Sequence, residues 1–252
     1  MTARTFRAVI FDLDGVLWDG EPLYHEAFNL ILEPHGVRVS EDDYNHIIGL
    51  SVEGAWDWVR RRFDLAIAPA DFLRAYNQAV LRLLQRPVEP LPGVRPLIGE
   101  LRHRGVPIAV ASTSLRAWVD ATLRGLDLEG AFNTVVSASE VANGKPAPDL
   151  FLAAAARLGV PPDRCLAVED TGPGIAAAKA AGMFAVQLRA ASTALPPLPD
   201  ADLMLDTLTD FDLSLVSAHP EPVEGDPERP PEAGPPPADV EGPPHPGEDA
   251  RP

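Results

Sequence analysis

The chain has 252 residues, of which 46% are apolar, and this is enough for one large domain or for one domain that carries an insert. Its formal net charge of −16 at pH 7 argues against nonspecific nucleic-acid binding, which requires a basic surface. One cysteine excludes an internal disulfide, and without a signal-peptide pattern or an apolar run of about 18 residues we expect a cytoplasmic protein with no membrane span.

The first predicted element is a strand that ends in two carboxylates. Residues 9–11 (Val-Ile-Phe) form an apolar run that suits a strand buried on both faces of a parallel sheet, and Asp12, Asp14 and Gly15 follow it. Unpaired carboxylates are costly to bury, and they usually bind a cation or take part in chemistry. Asp and Gly also favour turns, so the alternative is a strand that ends in solvated aspartates.

The next stretch, residues 21–87, is predicted to be helical throughout. Apolar residues recur there at helical spacing, and no strand pattern interrupts them. Trp56 and Trp58 belong to this pattern, which favours core packing over stacking on a substrate. The prolines of residues 86–93 indicate a connector back to the rest of the chain.

From residue 94 onward the pattern alternates between helices and strands. Helices are predicted at 94–104, 115–126, 149–158 and 175–181, and strands at 107–111, 134–137, 165–168, 184–188 and, at the edge, 201–205. This alternation predicts an α/β fold with a doubly wound parallel sheet. The core domain then comprises residues 1–20 and 88–216, and residues 21–87 form a helical domain inserted after the first strand. Cys165 is expected to be a buried strand residue.

The last stretch, residues 217–252, differs in composition from the rest. Twelve of the 28 prolines lie there, acidic residues dominate, and aromatic residues are absent. Such a sequence cannot bury enough apolar surface to offset the entropy of ordering, so we predict a disordered tail without a catalytic role.

Polar groups follow several of the predicted strands. Asp12 and Asp14 follow the first strand, and residues 112–114 (Ser-Thr-Ser) follow the second strand. Lys145 lies in the segment after the short third strand, and residues 169–170 (Glu-Asp) follow the fourth strand. In an open parallel sheet, sites form outside the carboxyl ends of the strands. Alone, each has an ordinary structural explanation, such as a helix cap for Ser112 or a solvated loop for Lys145, but their joint occurrence favours a single site.

Together these groups fit phosphate chemistry. Clustered carboxylate oxygens suit Mg²⁺, which keeps waters and pairs with substrate phosphate. A hydroxyl at a helix start and a lysine suit phosphate oxygens. An aspartate beside the metal can act as a nucleophile, and a second carboxylate can protonate the leaving oxygen and later deprotonate water.

Four motifs in this order resemble those of the haloacid dehalogenase-like superfamily, and within it the phosphoglucomutase-like or CbbY-like subfamily. They are residues 11–17 (Phe-Asp-Leu-Asp-Gly-Val-Leu), 110–114 (Val-Ala-Ser-Thr-Ser), 144–151 (Gly-Lys-Pro-Ala-Pro-Asp-Leu-Phe) and 168–175 (Val-Glu-Asp-Thr-Gly-Pro-Gly-Ile). The resemblance spans roughly residues 6–190. It implies a Rossmann-like core with a helical cap domain and a phosphohydrolase activity.

The resemblance also implies roles for the acidic residues. Asp12 corresponds to the nucleophile and to a Mg²⁺ ligand. Asp14 corresponds to the general acid and base, and its backbone carbonyl to a metal ligand. Glu169 and Asp170 correspond to the rest of the metal site. Asp14 argues against the dehalogenases that give the superfamily its name, because a halide leaving group needs no acid.

The remaining implied roles concern the phosphate and the cap. Ser112, Thr113 and Lys145 correspond to residues that hold the transferring phosphoryl group. Gly49 and Ser51 correspond to the cap loop that faces the active site. The family's cap closes over substrate and excludes water during the first step.

Two departures separate this chain from the sugar-phosphate mutases of the subfamily. Those mutases resemble one another in an arginine after the Gly-x-Ser of the cap loop and in a histidine on the first cap helix; this chain has Val52 and Tyr24 there. An arginine would grip a second substrate phosphate, so its absence favours hydrolysis. The arginines of residues 60–62 could bind that second phosphate instead, so a mutase activity stays an alternative.

The sequence therefore predicts a Mg²⁺-dependent phosphatase that acts on a small phosphorylated metabolite, such as a sugar or polyol phosphate, through an aspartyl-phosphate. Residues 21–23 (Glu-Pro-Leu) resemble a stretch common in phosphatases of the subfamily. The alternatives are a β-phosphoglucomutase-type mutase and, more weakly, a catalytically silent binding protein on the same fold. Nothing demands an oligomer, so we expect a monomer, and the sequence does not name the substrate.

Overall fold

The computed structural model describes residues 5–191 and 196–217. Within them the strands are β1 (Ala8–Phe11), β2 (Ile108–Ser112), β3 (Thr134–Ser137), β4 (Cys165–Glu169), β5 (Phe184–Leu188) and β6 (Leu203–Leu205). They form one sheet in the order β3-β2-β1-β4-β5-β6, and every neighbouring pair is parallel. The strand order reverses between β1 and β4, which confirms the doubly wound sheet and marks a crevice at that point.

Most of the α-helices in the described part of the chain lie between β1 and β2. Between β1 and β2 lie α1 (Glu21–Leu32), α2 (Glu41–Asn45), α3 (Val52–Arg62), α4 (Pro69–Leu83) and α5 (Val94–His103), and the later helices are α6 (Arg116–Gly125), α7 (Asp149–Leu158) and α8 (Gly172–Ala180). Helices α1–α4 form the segment that we call the helical insert. No helix of the described residues is long and apolar enough to cross a membrane.

Alternate strand residues face opposite layers of the core, as the two-residue period of a strand requires. On one face Ala8 and Ile10 pack with α7 and α8, whose contact residues include several alanines. On the other face Val9 and Phe11 join a larger cluster with α5, α6 and the helical insert. Small side chains on the first face let α7 and α8 lie close to the sheet, which places their N-termini near the carboxyl ends of the strands.

The helical insert has its own aromatic centre. Trp56 is buried and stacks on Phe72, with ring centroids 3.9 Å apart and an angle of 6° between the planes. Phe28 and Tyr76 pack beside this pair. The structure thus confirms Trp56 as a core residue, whereas Trp58 is partly buried and stacks on His46.

Several element boundaries differ from the predicted ones. Helix α8 begins at Gly172, three residues before the predicted start, because the Thr171 hydroxyl accepts the N–H of Gly174 and Pro173 is tolerated in a first helical turn. Strand β2 begins and ends one residue later than predicted, and β4 ends one residue later, so Ser112 and Glu169 belong to the strands themselves. Cys165 is fully buried in β4, as predicted. Of the predicted tail, residues 218–252 lie outside the described residues.

Glu140 connects three elements at one edge of the sheet. Its Oε1 accepts the Ser137 N–H at the end of β3 (3.1 Å) and a bond from Arg116 of α6 (3.3 Å), and its Oε2 accepts a bond from Arg157 of α7 (2.7 Å). Partial burial opposes ionisation of this carboxyl, but the bonds from Arg157 and Ser137 outweigh it and lower its pKa to about 2.

We expect Glu140→Gln to lower the free energy of unfolding at pH 7 by about 0.5–1 kcal/mol, the range of such partly exposed charge networks. Because the folded-state pKa lies below its ordinary value of 4.5, the stabilisation is present above pH 4.5 and is lost as the pH falls towards 2. Urea titrations at pH 7 and pH 3 measure the difference. Glu129→Gln, which removes only a 3.9 Å ion pair with Arg124, is the matched control. A difference that stays constant between the two pH values contradicts this assignment.

Candidate active site

Two buried carboxylates lie side by side at the strand-order reversal. Asp12 follows β1, and its N–H donates to the Val168 carbonyl of β4 (2.9 Å). Glu169 is the last residue of β4. Asp12 is 6% exposed and Glu169 is 1% exposed, so neither carboxylate is hydrated as it would be on a surface. Such a pair requires a cation close by.

Lys145 supplies one positive charge between them. Its Nζ donates to Asp12 Oδ1 and to Glu169 Oε1, and it lies 5.1 Å from the centroid of the Phe151 ring. Burial acts to lower the pKa of Lys145, but the two carboxylates outweigh burial and raise it. The ammonium group of Lys145 therefore stays charged, and it is held against the Asp12 carboxylate.

The second oxygen of Glu169 organises the turn after β4. Glu169 Oε2 accepts the N–H groups of Asp170 and Thr171 and the Thr171 hydroxyl, each at 3.0 Å. Both oxygens of Glu169 therefore already have donors. This geometry favours Glu169 as the support of Lys145 and of the turn, over the direct metal contact that the resemblance implies.

Asp170 follows Glu169 in the turn after β4 and packs against Gly15, and one of its carboxylate oxygens has no hydrogen-bond partner. A Cβ on Gly15 would lie 2.0 Å from Asp170 Oδ2, and Gly15 has a φ of +77°, so both the space and the backbone require glycine there. Asp170 Oδ1 is buried without a hydrogen-bond partner. Burial and then the Glu169 charge raise the pKa of Asp170 to about 9, and burial raises that of Asp12 to about 8 against the effect of Lys145.

These features fit a hard divalent cation. A cation would favour the charged forms of the two buried carboxyls and would give the orphaned carboxylate oxygen a partner. The donors are oxygens only, which suits Mg²⁺. Within residues 5–191 and 196–217, no three side chains of Asp, Glu, His or Cys are grouped so that they could hold a metal ion alone. Asp12 and Asp170 would thus need backbone oxygen, water or substrate to complete a site.

Asp14 makes no hydrogen bond to Lys145 and is held instead by two hydroxyls. Tyr24 of α1 donates to Asp14 Oδ1 (2.7 Å), and Ser114 donates to Asp14 Oδ2 (2.9 Å). Burial raises the pKa of Asp14, and these two bonds partly oppose the rise. The sequence motifs assign a role to neither hydroxyl. Ser114 is detectable as the third of the three hydroxyl residues at the end of β2, and the sequence marks Tyr24 only as the residue that replaces the histidine of the mutases.

The predicted phosphate-binding residues lie around the end of β2. Ser112 is fully buried, and its Oγ accepts the Ser114 N–H (3.0 Å), while the adjacent Thr113 is exposed. A Cβ on Gly144 would lie 4.0 Å from the Thr113 methyl group, so the segment before Lys145 runs beside these hydroxyl residues. Because β2 is the neighbour of β1 in the sheet, these hydroxyl residues lie at the same edge as Asp12 and Lys145.

The predicted residues of the insert are not joined to this cluster. Ser51 is the N-cap of α3, where its hydroxyl accepts the Gly54 N–H (3.1 Å), and Gly49 lies in the exposed turn before it. Among the hydrogen bonds of the described residues, none links Ser51 to the site. The arginines of residues 60–62 pair with acids of the insert: the first two with Asp57, and the third with Asp43.

Comparison with known proteins gives one consistent family. The model of the haloacid dehalogenase-like hydrolases matches residues 6–182. The chain is 37% identical over 187 residues to the fructose-1-phosphate phosphatase YqaB of Escherichia coli, with 73% of this chain and 97% of the relative covered. It is 33% identical over 220 residues to the β-phosphoglucomutase of Bacillus subtilis, with 83% and 93% covered.

A solved structure shares the fold. The CbbY protein of Rhodobacter sphaeroides, in complex with xylulose-1,5-bisphosphate, superimposes with a TM-score of 0.73 at 26% sequence identity. The match covers 84% of this chain and 100% of that chain. The likeness therefore includes the helical insert as well as the sheet.

We expect Asp170→Asn to raise the thermal stability of the protein in EDTA at pH 7, because the raised pKa of the buried Asp170 carboxyl opposes folding at that pH and an amide carries no such cost. The same change should weaken Mg²⁺ binding at least about tenfold, so that Mg²⁺ stabilises the original protein far more than the variant. Melting curves in EDTA and across a Mg²⁺ titration measure both effects. Asp127→Asn, in the exposed turn after α6, is the matched control. Equal stabilisation of all three proteins by Mg²⁺ contradicts this assignment.

Proposed function

Since this chain belongs to the haloacid dehalogenase-like hydrolases and is a phosphohydrolase, we propose that it is a Mg²⁺-dependent phosphatase of a sugar or polyol phosphate. The observation that carries the proposal is the buried contact of Lys145 with Asp12 and Glu169, beside the unpartnered oxygen of Asp170. This arrangement offers one nucleophilic carboxylate, one cation for a phosphoryl oxygen and one pair of carboxylates for a metal.

In the first step, an Asp12 oxygen attacks the phosphorus of the ester, and the bond from phosphorus to the alcohol oxygen breaks. Asp14 gives its proton to that departing oxygen. Lys145 donates to the phosphoryl oxygens, with Ser112 and Thr113 on the side of β2. The product is a free alcohol and a phosphorylated Asp12.

In the second step, Asp14 takes a proton from a water molecule whose oxygen attacks the same phosphorus. The bond between Asp12 and phosphorus breaks, and inorganic phosphate leaves. Asp14 is then protonated again, so the two steps restore the starting state. Mg²⁺ held by Asp12, Asp170 and the Asp14 backbone carbonyl would supply charge neutralisation on the phosphoryl group. We take residues 21–87 as the cap that excludes water in the first step.

A mutase remains the second candidate because of the 33% identity to β-phosphoglucomutase. A mutase would hand the phosphoryl group from Asp12 to a sugar hydroxyl in place of water. Val52 follows Ser51 here, and the arginines of residues 60–62 are paired with Asp57 and Asp43. The insert thus offers less for a second phosphate, which supports the phosphatase.

The first test is release of phosphate from a panel of esters with Mg²⁺ and with EDTA. The panel contains fructose 1-phosphate, sorbitol 6-phosphate, glycerol phosphate and glycolytic phosphates, and β-glucose 1-phosphate is assayed for glucose 6-phosphate as well. We expect Mg²⁺-dependent release from a narrow set and at least about a 1,000-fold loss in Asp12→Asn. Isomerisation faster than release would establish the mutase, and turnover of none of the esters would support the silent binding protein. Full activity in Asp12→Asn would rule out the covalent mechanism.

Asp14→Asn distinguishes the acid and base role of the Asp14 side chain from metal binding by its backbone carbonyl. We expect a loss of turnover of about 100- to 10,000-fold on sugar phosphates, the usual contribution of a general acid and base. Mg²⁺ affinity should change little, because the backbone carbonyl of residue 14 is kept. The measurements are steady-state kinetics and Mg²⁺ binding by calorimetry. A collapse of Mg²⁺ affinity would show that the Asp14 side chain, and not its carbonyl, holds the metal.

A further inference from the structure

We propose that Tyr24 is a positioning residue for Asp14, and that through it the helical insert orients the acid and base of the reaction. The inference rests on the proposed function, because it needs Asp14 to move protons. It starts from the hydrogen bond in which the Tyr24 hydroxyl donates to Asp14 Oδ1 at 2.7 Å. Tyr24 lies on α1 of the insert, whereas Asp14 follows the first strand of the sheet.

The Tyr24 ring is fixed by aromatic contacts with two residues outside the insert. It stacks on Trp118 of α6, with centroids 5.7 Å apart and 29° between the planes, and it meets Trp18 edge-on at 6.0 Å. The Trp118 indole N–H donates to Asn77 Oδ1 on α4 of the insert (2.7 Å). The position of the Tyr24 hydroxyl thus depends on how the insert and α6 pack together.

Gly20 shows that the close approach of Tyr24 and Asp14 is built into the chain. Its φ of −83° is accessible to any residue, so the backbone does not require glycine. A Cβ at this position would lie 2.7 Å from Cε2 of the Tyr24 ring and 2.8 Å from Asp14 Oδ1. The missing side chain makes room for the contact between the ring and the carboxyl group.

Two hydroxyls suit a group that must exist in both protonation states. Tyr24 and Ser114 hold one Asp14 oxygen each, which fixes the plane of the carboxyl group. A hydroxyl can donate to a carboxylate and can accept from a protonated carboxyl, whereas a lysine or arginine only donates. The pair can therefore hold Asp14 in one orientation while it gives a proton in the first step and takes one in the second.

The test compares two leaving groups. An alkyl phosphate needs a proton on its departing oxygen, whereas p-nitrophenolate leaves from p-nitrophenyl phosphate without one. Since kcat/KM reports the steps up to departure of the alcohol, a misplaced acid lowers it for the alkyl ester selectively. For Tyr24→Phe we expect a loss of about 10- to 100-fold with the best alkyl ester of the panel, and less than about 3-fold with p-nitrophenyl phosphate.

The control and the second variant keep this test decisive. Tyr76→Phe removes a hydroxyl that donates to the Tyr24 backbone carbonyl at 3.5 Å and makes no bond to Asp14, so it should leave both values within about twofold. Gly20→Ala keeps the hydroxyl but displaces it, so it should reproduce the selective loss even if Tyr24→Phe fails to fold. In an Asp14→Asn background, Tyr24→Phe should cause no further loss, because the two changes act on one group.

Equal losses with both esters, or full additivity with Asp14→Asn, would show that the Tyr24 hydroxyl only stabilises the fold. Unchanged kinetics in Tyr24→Phe would overturn the inference as well. If Asp12→Asn keeps its activity, the proposed function is wrong whatever the Tyr24 variants show. If Asp12→Asn is inactive and the losses in Tyr24→Phe are equal, only the role of Tyr24 fails.

Discussion

The site depends on the cost of burying several carboxylates at one end of a parallel sheet. Asp12, Glu169 and Asp170 lie where β1 and β4 end, and one buried ammonium group, Lys145, contacts two of them. The raised pKa values of Asp12 and Asp170 show that this compensation is incomplete. A divalent cation at this cluster would supply the charge that Lys145 alone does not, which is the physical basis of the proposed Mg²⁺ dependence.

The topology explains why residues far apart in sequence meet there. Because β2 and β4 flank β1 in a parallel register, the carboxyl ends of the three strands lie together and the strand order reverses at β1. Polar residues after apolar strands are visible in the sequence, and the end of a parallel strand has a fixed location. The amino-acid pattern alone is therefore enough to predict the fold and the core of the site, from Asp12 to Asp170.

Other features depend on side-chain direction or on packing, which sequence spacing does not determine. Glu169 follows the same strand as Asp170, but its oxygens turn towards Lys145 and the N–H groups of the turn. The early start of α8 follows from one Thr171 hydroxyl bond. The hydrogen bond from Tyr24 on α1 to Asp14 after β1 joins the insert to the sheet, and no local sequence pattern encodes it.

The division of the molecule into a sheet and an insert therefore does not divide its chemistry in the same way. The proposed nucleophile Asp12, Lys145 and the buried carboxylates beside them belong to the strand ends and turns of the sheet, whereas Asp14 receives one of its two hydrogen bonds from the insert. A change in the insert that moves α1 also moves the donor on Asp14. In the proposed mechanism the insert would therefore affect proton transfer as well as the exclusion of water.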